Sequence, residues 1–508
     1  MANYGFVIDL TRCIGCHACT IACKSEHDVP IGVNRCWVKT VEKGRFPEVR
    51  RSFFPVLCNQ CTDAPCMKIC PTSALYKRND GIVDLHSDSC IGCRACMQAC
   101  PYDQLFIDPN THTAEKCNFC ANRVENQLEP SCVSVCPTQC RIFGDLDDDS
   151  SEVARILDAE PHTVRKPEKG TGPRVFYLGA DDSVLRPEIA SRPLFYKEGD
   201  VHLRPVAAPT PDLDQPGAPR VDYDVPHAKP WGLDVTLYLL TKGIAAGALA
   251  LSAVLWLIGY RDALTMVAGP VVALVFNLAT AGLLIADLER PERFYYILTR
   301  SNWRSWLVLG AYCLAAHGAL AAAWLAAAWF GLDTVLSLLV VPAVVASMAA
   351  TAYTGFLFAQ GHGRDLWQGP YAAVDLLAQA AVEGAGVLLL LAPLVPATPG
   401  VATALGGVLA AALSAHLLML VFEYVIAPSP TLHHELAVRA IRHGAYARWF
   451  WTGAIVMGGA LPLVILAVAL TADAAPVWPL ALAALLALGG ATAWEFVWVE
   501  AGQSVPLS

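Results

Sequence analysis

The chain has 508 residues, is 55% hydrophobic, and combines a mean hydropathy of +0.42 with a formal net charge of −9. Few soluble chains of this length are so apolar, and an acidic balance without a basic run speaks against a nucleic-acid partner. The apolar residues are unevenly spread: residues 1–230 are polar and cysteine-rich, whereas residues 231–508 are rich in Ala, Leu and Val.

The stretch Met1 to Asp9 lacks a basic region, a long apolar core and a cleavage site, so no signal peptide is expected. Tyr4-Gly-Phe-Val-Ile-Asp9 reads as a first strand leading into Cys13. Eighteen of the nineteen cysteines lie between Cys13 and Cys140. Sixteen of them fall into four sets of four: Cys13, Cys16, Cys19, Cys23; Cys58, Cys61, Cys66, Cys70; Cys90, Cys93, Cys96, Cys100; and Cys117, Cys120, Cys132, Cys136. A disulfide scaffold would pair thiols across varied loops instead of repeating x-x spacings. Two C-x-x-C pairs per site would suit structural zinc. Three-cysteine runs closed by C-x-x-x-C are instead the mark of iron–sulfur ligation.

A C-x-x-C-x-x-C loop supplies three sulfurs to a 4Fe–4S cubane, and the fourth must come from elsewhere. In bacterial two-cluster ferredoxins the last Cys of each run serves the other cluster. Two such pairs make an internal repeat of ferredoxin modules. Pro follows the last Cys in three runs (Pro71, Pro101, Pro137), where it stops a short helix. The first run breaks this habit with Cys23-Lys24. Gly15, Ala18, Gly92 and Ala95 let the loop backbone come close to a cluster.

The order of the runs, Lys116-Cys-Asn-Phe-Cys-Ala-Asn-Arg123, Pro130-Ser-Cys-Val-Ser-Val-Cys-Pro137 and Arg141-Ile-Phe-Gly-Asp-Leu146 resemble the four-cluster electron-transfer subunits of molybdopterin oxidoreductases. The dimethyl sulfoxide, polysulfide, thiosulfate and formate enzymes are examples. The resemblance implies a nested pairing, first run with fourth and second with third. One cluster then takes Cys13, Cys16, Cys19 and Cys136, and its neighbour Cys23, Cys117, Cys120 and Cys132. The other pair takes Cys58, Cys61, Cys66 with Cys100, and Cys70 with Cys90, Cys93 and Cys96. Cys36 and Cys140 are left over as buried thiols. Residues 150–200, with Phe176-Tyr-Leu178, are expected to pack over this core. No nucleotide loop, Ser/His/Asp set or isolated catalytic thiol is visible here, so the domain reads as a wire without a substrate site.

Seven prolines from Pro205 to Pro230 mark residues 201–230 as a semi-rigid linker. It joins two parts that the family usually makes as separate chains. From residue 231 onward, apolar stretches long enough for ~30 Å of hydrocarbon recur. Eight are expected, near 235–259, 264–285, 306–330, 335–359, 371–394, 403–425, 450–470 and 478–499. Trp231, Trp303, Trp306, Trp449 and Trp478 fall near span ends, as an aromatic belt would place them. The expected fold is thus multidomain: an α+β double ferredoxin-like iron–sulfur domain over 1–200, the linker, and an all-α eight-helix transmembrane bundle over 231–508.

Eight spans bring both ends of the bundle to the iron–sulfur side. Loops there hold Arg290, Arg293, Arg300, Arg304, Arg364, Arg439, Arg442 and Arg448, against Arg261 opposite. The positive-inside rule then puts the iron–sulfur domain in the cytoplasm, at the inner membrane. The resemblance leaves a periplasmic placement open, because a twin-arginine signal on a catalytic partner can export such a subunit.

Asp287-Leu-Glu-Arg-Pro-Glu-Arg-Phe294 resembles the loop signature of NrfD-like polysulfide-reductase anchors, as do Trp231-Gly-Leu-Asp with Tyr238 and Gly243, and Tyr353-Thr-Gly-Phe356. Such anchors bind no haem and exchange electrons with a quinone. A haem would need facing histidines, for which His317 and His416 are the candidates. Ionisable groups inside spans are costly and usually functional. Lys242, Tyr238, Asp287, Arg290 and Tyr353 can meet a menaquinone or ubiquinone headgroup. The plainer reading makes Asp287 and Arg290 a loop-bracing pair and Tyr353 an interfacial anchor. Glu383 and His416 read equally as a proton path or as paired neighbours, and Cys313 as a packing residue.

The expected function is an electron-transfer and membrane-anchor subunit of a respiratory molybdopterin oxidoreductase. It would link the catalytic subunit, the quinone pool and the lipid bilayer through four 4Fe–4S clusters. The alternative is a proton-translocating quinone module serving a hydrogenase or cytochrome partner, motivated by Glu383, Glu423 and Glu495. A cluster-based redox sensor is the weaker third reading.

Overall fold

The computed structural model describes residues 2–191, 215–471 and 477–508. In chain order the strands are β1 Tyr4–Asp9, β2 Cys36–Lys43, β3 Arg50–Leu57, β4 Leu75–Lys77, β5 Val83–Leu85, β6 Leu105–Ile107, β7 Ala114–Lys116, β8 Arg141–Asp145, β9 Val175–Leu178 and β10 Arg220–Tyr223. β1 pairs antiparallel with β8 and parallel with β9. Its Phe6, Val7 and Ile8 are all fully buried because both sheet faces are covered. Phe6 and Ile8 face the cysteine loops, and Val7 faces Val153 of the helix Glu152–Ala159, the two-residue alternation of a strand. β4–β5 and β6–β7 are short hairpins flanking the third cysteine run.

The described part of the linker, from residue 215, is not a free spacer. Pro205, Pro209 and Pro211 lie outside the described residues. Beyond them, β10 pairs with β2, with Val221 opposite Val41. Asp224 then accepts from Trp37 Nε1 at 2.9 Å, and His227 lies 3.1 Å from Asp103. The end of the linker is therefore stitched to the cysteine domain, and its prolines suit the extended backbone of an edge strand.

Among the described residues, eight helices are long and apolar enough to cross a membrane: Leu233–Leu257, Leu264–Ala286, Trp306–Trp329, Asp333–Ala359, Ala372–Leu391, Val401–Ile426, Trp449–Leu470 and Val477–Gly502. The first, fifth and eighth are the most buried, and they carry Lys242, Glu383 and Glu495, as the cost of an ionisable group in lipid demands. Gly247 and Gly384 let the first and fifth spans touch backbone to backbone: a Cβ at Gly384 would lie 2.2 Å from the Gly247 carbonyl carbon.

One continuous core runs from the second and third cysteine runs (Cys61, Cys70, Cys96) through Trp231, Tyr353 and Trp367 to Val505. The cysteine domain thus sits on the bundle through its second half. Trp303, Trp449 and Trp478 are well exposed, as lipid-facing belt residues should be. Trp231 differs. It is 4% exposed, packs on Phe358 and Trp367, and donates from Nε1 to the Cys93 carbonyl at 3.4 Å. Its indole seals the junction because the stitched linker leads it under the cysteine loops.

Gly92 sits at this junction with φ +70, and an added Cβ would meet Glu289 Cβ at 2.4 Å. Gly32 has φ +90 with nothing within 4 Å. Gly32→Ala is expected to lose only the backbone term of about 1–2 kcal/mol. Gly92→Ala should lose that and also push the Glu289 loop away. Thermal unfolding of the two variants in detergent checks this; equal shifts would contradict it.

Candidate functional site

The four cysteine runs share one backbone device. The residue two beyond the first Cys is left-handed in every run: Gly15 at φ 68, Gln60 at 44, Gly92 at 70 and Phe119 at 55. A left-handed residue turns successive amides toward one centre, which favours negative charge there. In the first and third runs His17 and Arg94 repeat the turn and start short helices, Ala18–Glu26 and Ala95–Ala99.

These loops gather the thiols into four groups. Cys13, Cys16, Cys19 and Cys136 line one pocket, and Cys23, Cys117, Cys120 and Cys132 line a second. Cys70, Cys90, Cys93 and Cys96 line a third. Cys58, Cys61, Cys66 and Cys100 form the fourth, where each charge would repel the others. The grouping is the nested one. Cys140 lines the first pocket and Cys36 the second, so both leftover thiols border clusters of ligand-type sulfurs.

The donor set fits iron–sulfur clusters. All four corners of each group are thiols, the soft ligands such clusters take. Burial pushes the Cys61 thiol up to about 12 and those of Cys100, Cys117 and Cys132 to about 11. Thiolates in these groups need compensating positive charge, and the surroundings supply some. Buried Arg141 donates to Cys36 Sγ at 3.1 Å and faces Cys19, Cys132 and Cys140. His27 Nε2 lies 3.0 Å from Cys120 Sγ, and the Ala114 amide donates to Cys90 Sγ at 3.4 Å.

The Cys70, Cys90, Cys93 and Cys96 pocket faces the bundle. Asn302 Nδ2 donates to the Cys70 carbonyl at 2.8 Å, and Arg293 Nη1 to the Cys90 carbonyl at 2.9 Å. Ser305 donates to the Ile69 carbonyl at 2.6 Å. Asp287 and Arg290 belong to this clamp. Asp287 accepts from Arg94 Nη2 at 2.5 Å, and Arg290 donates to the Thr111 carbonyl at 2.5 and 2.9 Å. Burial raises the Asp287 carboxyl to about 6 against the pull of Arg94. These two residues brace the loop against the cysteine domain, each through its own partner, and stand apart from the other proposed headgroup residues. Arg300 likewise binds Ser89 Oγ at 2.5 Å.

Below the clamp, Tyr238, Lys242 and Tyr353 come together. The two tyrosine hydroxyls lie 2.7 Å apart, Thr354 Oγ1 lies 2.7 Å from the Tyr238 hydroxyl, and Lys242 Nζ donates to Thr354 Oγ1 at 2.7 Å. The ammonium also sits over both rings, at 5.2 and 5.7 Å. All four residues are buried, Tyr353 included, so it is no surface anchor. Glu383 and Glu495 lie beside Lys242. His416 Nδ1 lies 2.6 Å from Asp375 Oδ1, and His317 Nδ1 lies 3.3 Å from Asn277 Oδ1. The two histidines are thus held by separate partners, on different spans. Cys313 packs against the junction core.

The quoted sequence motifs contain Thr354 and Phe119 but give them no role, and they contain neither Asp375 nor Gln60. Asp375, Gln379 and Glu383 recur every four residues on one helix, which was the available signal.

The polysulphide reductase NrfD family matches residues 224–506, and a 4Fe-4S dicluster domain matches residues 49–146. A tetrathionate reductase subunit of Salmonella typhimurium is 42% identical over 201 residues, covering 39% of this chain and 80% of that protein. A polysulfide reductase subunit of Wolinella succinogenes is 42% identical over 179 residues, covering 35% and 94%. The arsenate respiratory reductase iron-sulfur subunit ArrB of a Shewanella species is 36% identical over 222 residues, covering 34% and 95%.

Gln60 earns its left-handed place through its side chain. Nε2 donates to the Cys117 carbonyl at 2.7 Å, and Oε1 accepts from the Val83 amide at 2.7 Å. Gln60→Gly relieves about 1 kcal/mol of backbone strain but orphans the buried Val83 amide at about 1–3 kcal/mol and leaves the Cys117 carbonyl to Lys116 Nζ alone. The variant should be less stable by about 1 kcal/mol and lose iron faster in a chelator challenge. A stabilised variant would show that the backbone term governs.

Proposed function

The chain belongs to the polysulphide reductase NrfD family, with a 4Fe-4S dicluster domain ahead of the membrane part, a combination that transfers electrons and anchors them to the membrane; on that premise we propose that it links a molybdopterin catalytic partner to the quinone pool. Four 4Fe–4S clusters, held by the four thiol groups, would each carry one electron at a time. The relatives' names span tetrathionate, polysulfide and arsenate, which supports this shared role and singles out no terminal substrate.

The observation that carries the quinone assignment is the stacking order at the junction. The Cys93 carbonyl meets Trp231, and Tyr238 lies two helical turns farther along, about 10 Å deeper. Tyr238, Thr354 and Lys242 offer donors to the carbonyl oxygens of a quinone, and the rings of Tyr238 and Tyr353 offer apolar faces to its ring. A headgroup held there is within electron-transfer reach of the Cys70, Cys90, Cys93 and Cys96 group. At the other end, the first pocket opens to solvent at exposed Cys16, flanked by Ile14 and Ile21, both more than half exposed. This apolar rim suits the catalytic partner.

Iron analysis should give about sixteen irons per chain; a value near four would sink the four-cluster reading. Tyr238→Phe and Lys242→Met should lower quinol turnover at least tenfold while dithionite still reduces the clusters. Unchanged turnover would remove both residues from the quinone site.

We further propose that the iron–sulfur side faces the cytoplasm, at the inner membrane. Arg290, Arg293 and Arg300 are engaged at the junction, so this rests mainly on Arg304, Arg442 and Arg448 against Arg261. Cysteines introduced at exposed positions of the cysteine domain should stay protected from impermeant maleimide in spheroplasts. Labelling from outside would reverse the orientation.

A further inference from the structure

Resting on the quinone reading above, we propose that protons of the quinone reaction enter and leave on the iron–sulfur side, along a buried relay on the fifth span. Asp375, Gln379 and Glu383 follow one another at four-residue intervals, so they share one helix face and span about 12 Å from the membrane surface inward. All three are at least nine-tenths buried.

Asp375 and Glu383 have partners on neighbouring helices, and Gln379 joins Asp375 on their own helix. At the outer end, half-buried Glu423 on the sixth span faces Asp375. His416 Nδ1 lies 2.6 Å from Asp375 Oδ1, and Gln379 Nε2 donates to Asp375 Oδ2 at 2.7 Å. Glu383 ends the row against Gly243 of the first span, where a Cβ would lie 1.6 Å from its Oε2. The Glu383 carboxyl meets the Glu495 carboxyl within hydrogen-bond reach and faces Lys242. Two carboxyls and one amine thus meet in an apolar interior, a set of groups along which a proton can pass. Lys242 then reaches Thr354, and Thr354 reaches Tyr238.

The far half of the bundle is different. From Gly384 to Leu391 the fifth span has no titratable residue, nor has the first from Gly243 to Leu257 or the eighth from Val477 to Trp494. Leu388, Leu389, Leu405, Leu409 and Leu480 fill that region, all fully buried. Among the described residues, His317 lies at mid-depth on Asn277, and the buried polar groups beyond it toward Asp262 are non-titrating ones such as the hydroxyls of Ser252 and Thr265 and the indole N–H groups of Trp256 and Trp324. The relay is open toward the iron–sulfur face and closed opposite.

On oxidation a quinol breaks two O–H bonds and yields one quinone, two protons and two electrons. The electrons go to one-electron iron–sulfur acceptors above the site, and the protons go by Lys242, Glu383 and Asp375 to the same side. Reduction of a quinone uses the same route inward. Electrons and protons then move on one side, and no net charge crosses the membrane.

The full chain in liposomes containing a soluble menaquinol analogue tests this. Ferricyanide outside draws electrons only from outward-facing iron–sulfur domains. Two protons per quinol should appear outside, with trapped pyranine and an oxonol potential dye unchanged. Asp375→Asn should slow turnover at least tenfold, Asp375→Glu should restore it, and His317→Gln should leave it alone. Iron content and dithionite reduction serve as folding controls for each. Acidification inside, a membrane potential, or full turnover in Asp375→Asn would overturn the assignment of side. If the parent chain passes no electrons from quinol to ferricyanide, the quinone reading itself fails, and the relay with it.

Discussion

The backbone carbonyls of Cys70 and Cys90 end tight loops whose own geometry leaves them no partner, and Cys93 adds a third. Donors from the membrane domain satisfy all three: Asn302, Arg293 and Trp231. A buried carbonyl without a partner costs about 1–3 kcal/mol, so the loops of the third run are complete only when seated on the bundle. This seating decides which half of the cysteine domain faces the membrane. It leaves the pocket with exposed Cys16 as the outward end. The direction of the whole molecule follows from hydrogen bonds to three peptide groups.

The same seating makes the intramembrane chemistry tolerable. An ionisable residue at a span centre costs about 2.5–3.5 kcal/mol even on insertion scales. Lys242, Glu383 and Glu495 meet that cost together, on the three most enclosed spans, where opposite charges and hydroxyls replace water. Gly243, Gly247 and Gly384 bring the first and fifth helices close enough for this. Larger residues there would separate the helices and strand the charges.

Much of this was legible in the residues alone. Cysteine spacing is a local property, and the four sets of thiols follow from it, whereas their nested pairing is what the family resemblance implied. Span number and length follow from hydropathy in the same way. What lay beyond local pattern was the junction. Asp287 and Arg290 read as quinone residues because charged groups beside a span end are usually functional, yet their partners, Arg94 and Thr111, lie almost two hundred residues away. Trp231 read as a belt residue because its depth depends on a strand pairing in the other domain. Gln60 and Phe119 were missed because a left-handed residue is foreseen only where glycine stands. The four-residue rhythm from Asp375 to Glu383 was present but hidden in an alanine-rich helix.

Fusion of the two parts has a mechanical consequence. Two free chains must offset about 4–15 kcal/mol of lost freedom before any junction contact contributes. A covalent join replaces that with a local concentration in the millimolar range. The described end of the linker goes further, because β10 is paired to β2 and His227 is held near Asp103. The first span therefore enters the bundle from a fixed point on the cysteine domain. A slip of one residue along that helix would move Lys242 by about 1.5 Å and turn it by about 100°. That is enough to take its ammonium off Thr354 and out of reach of Glu383. A strand register outside the membrane thus sets a hydrogen bond deep inside it. The pairing of β10 with β2 belongs with Tyr238 and Lys242 among the features that hold the quinone reaction in place.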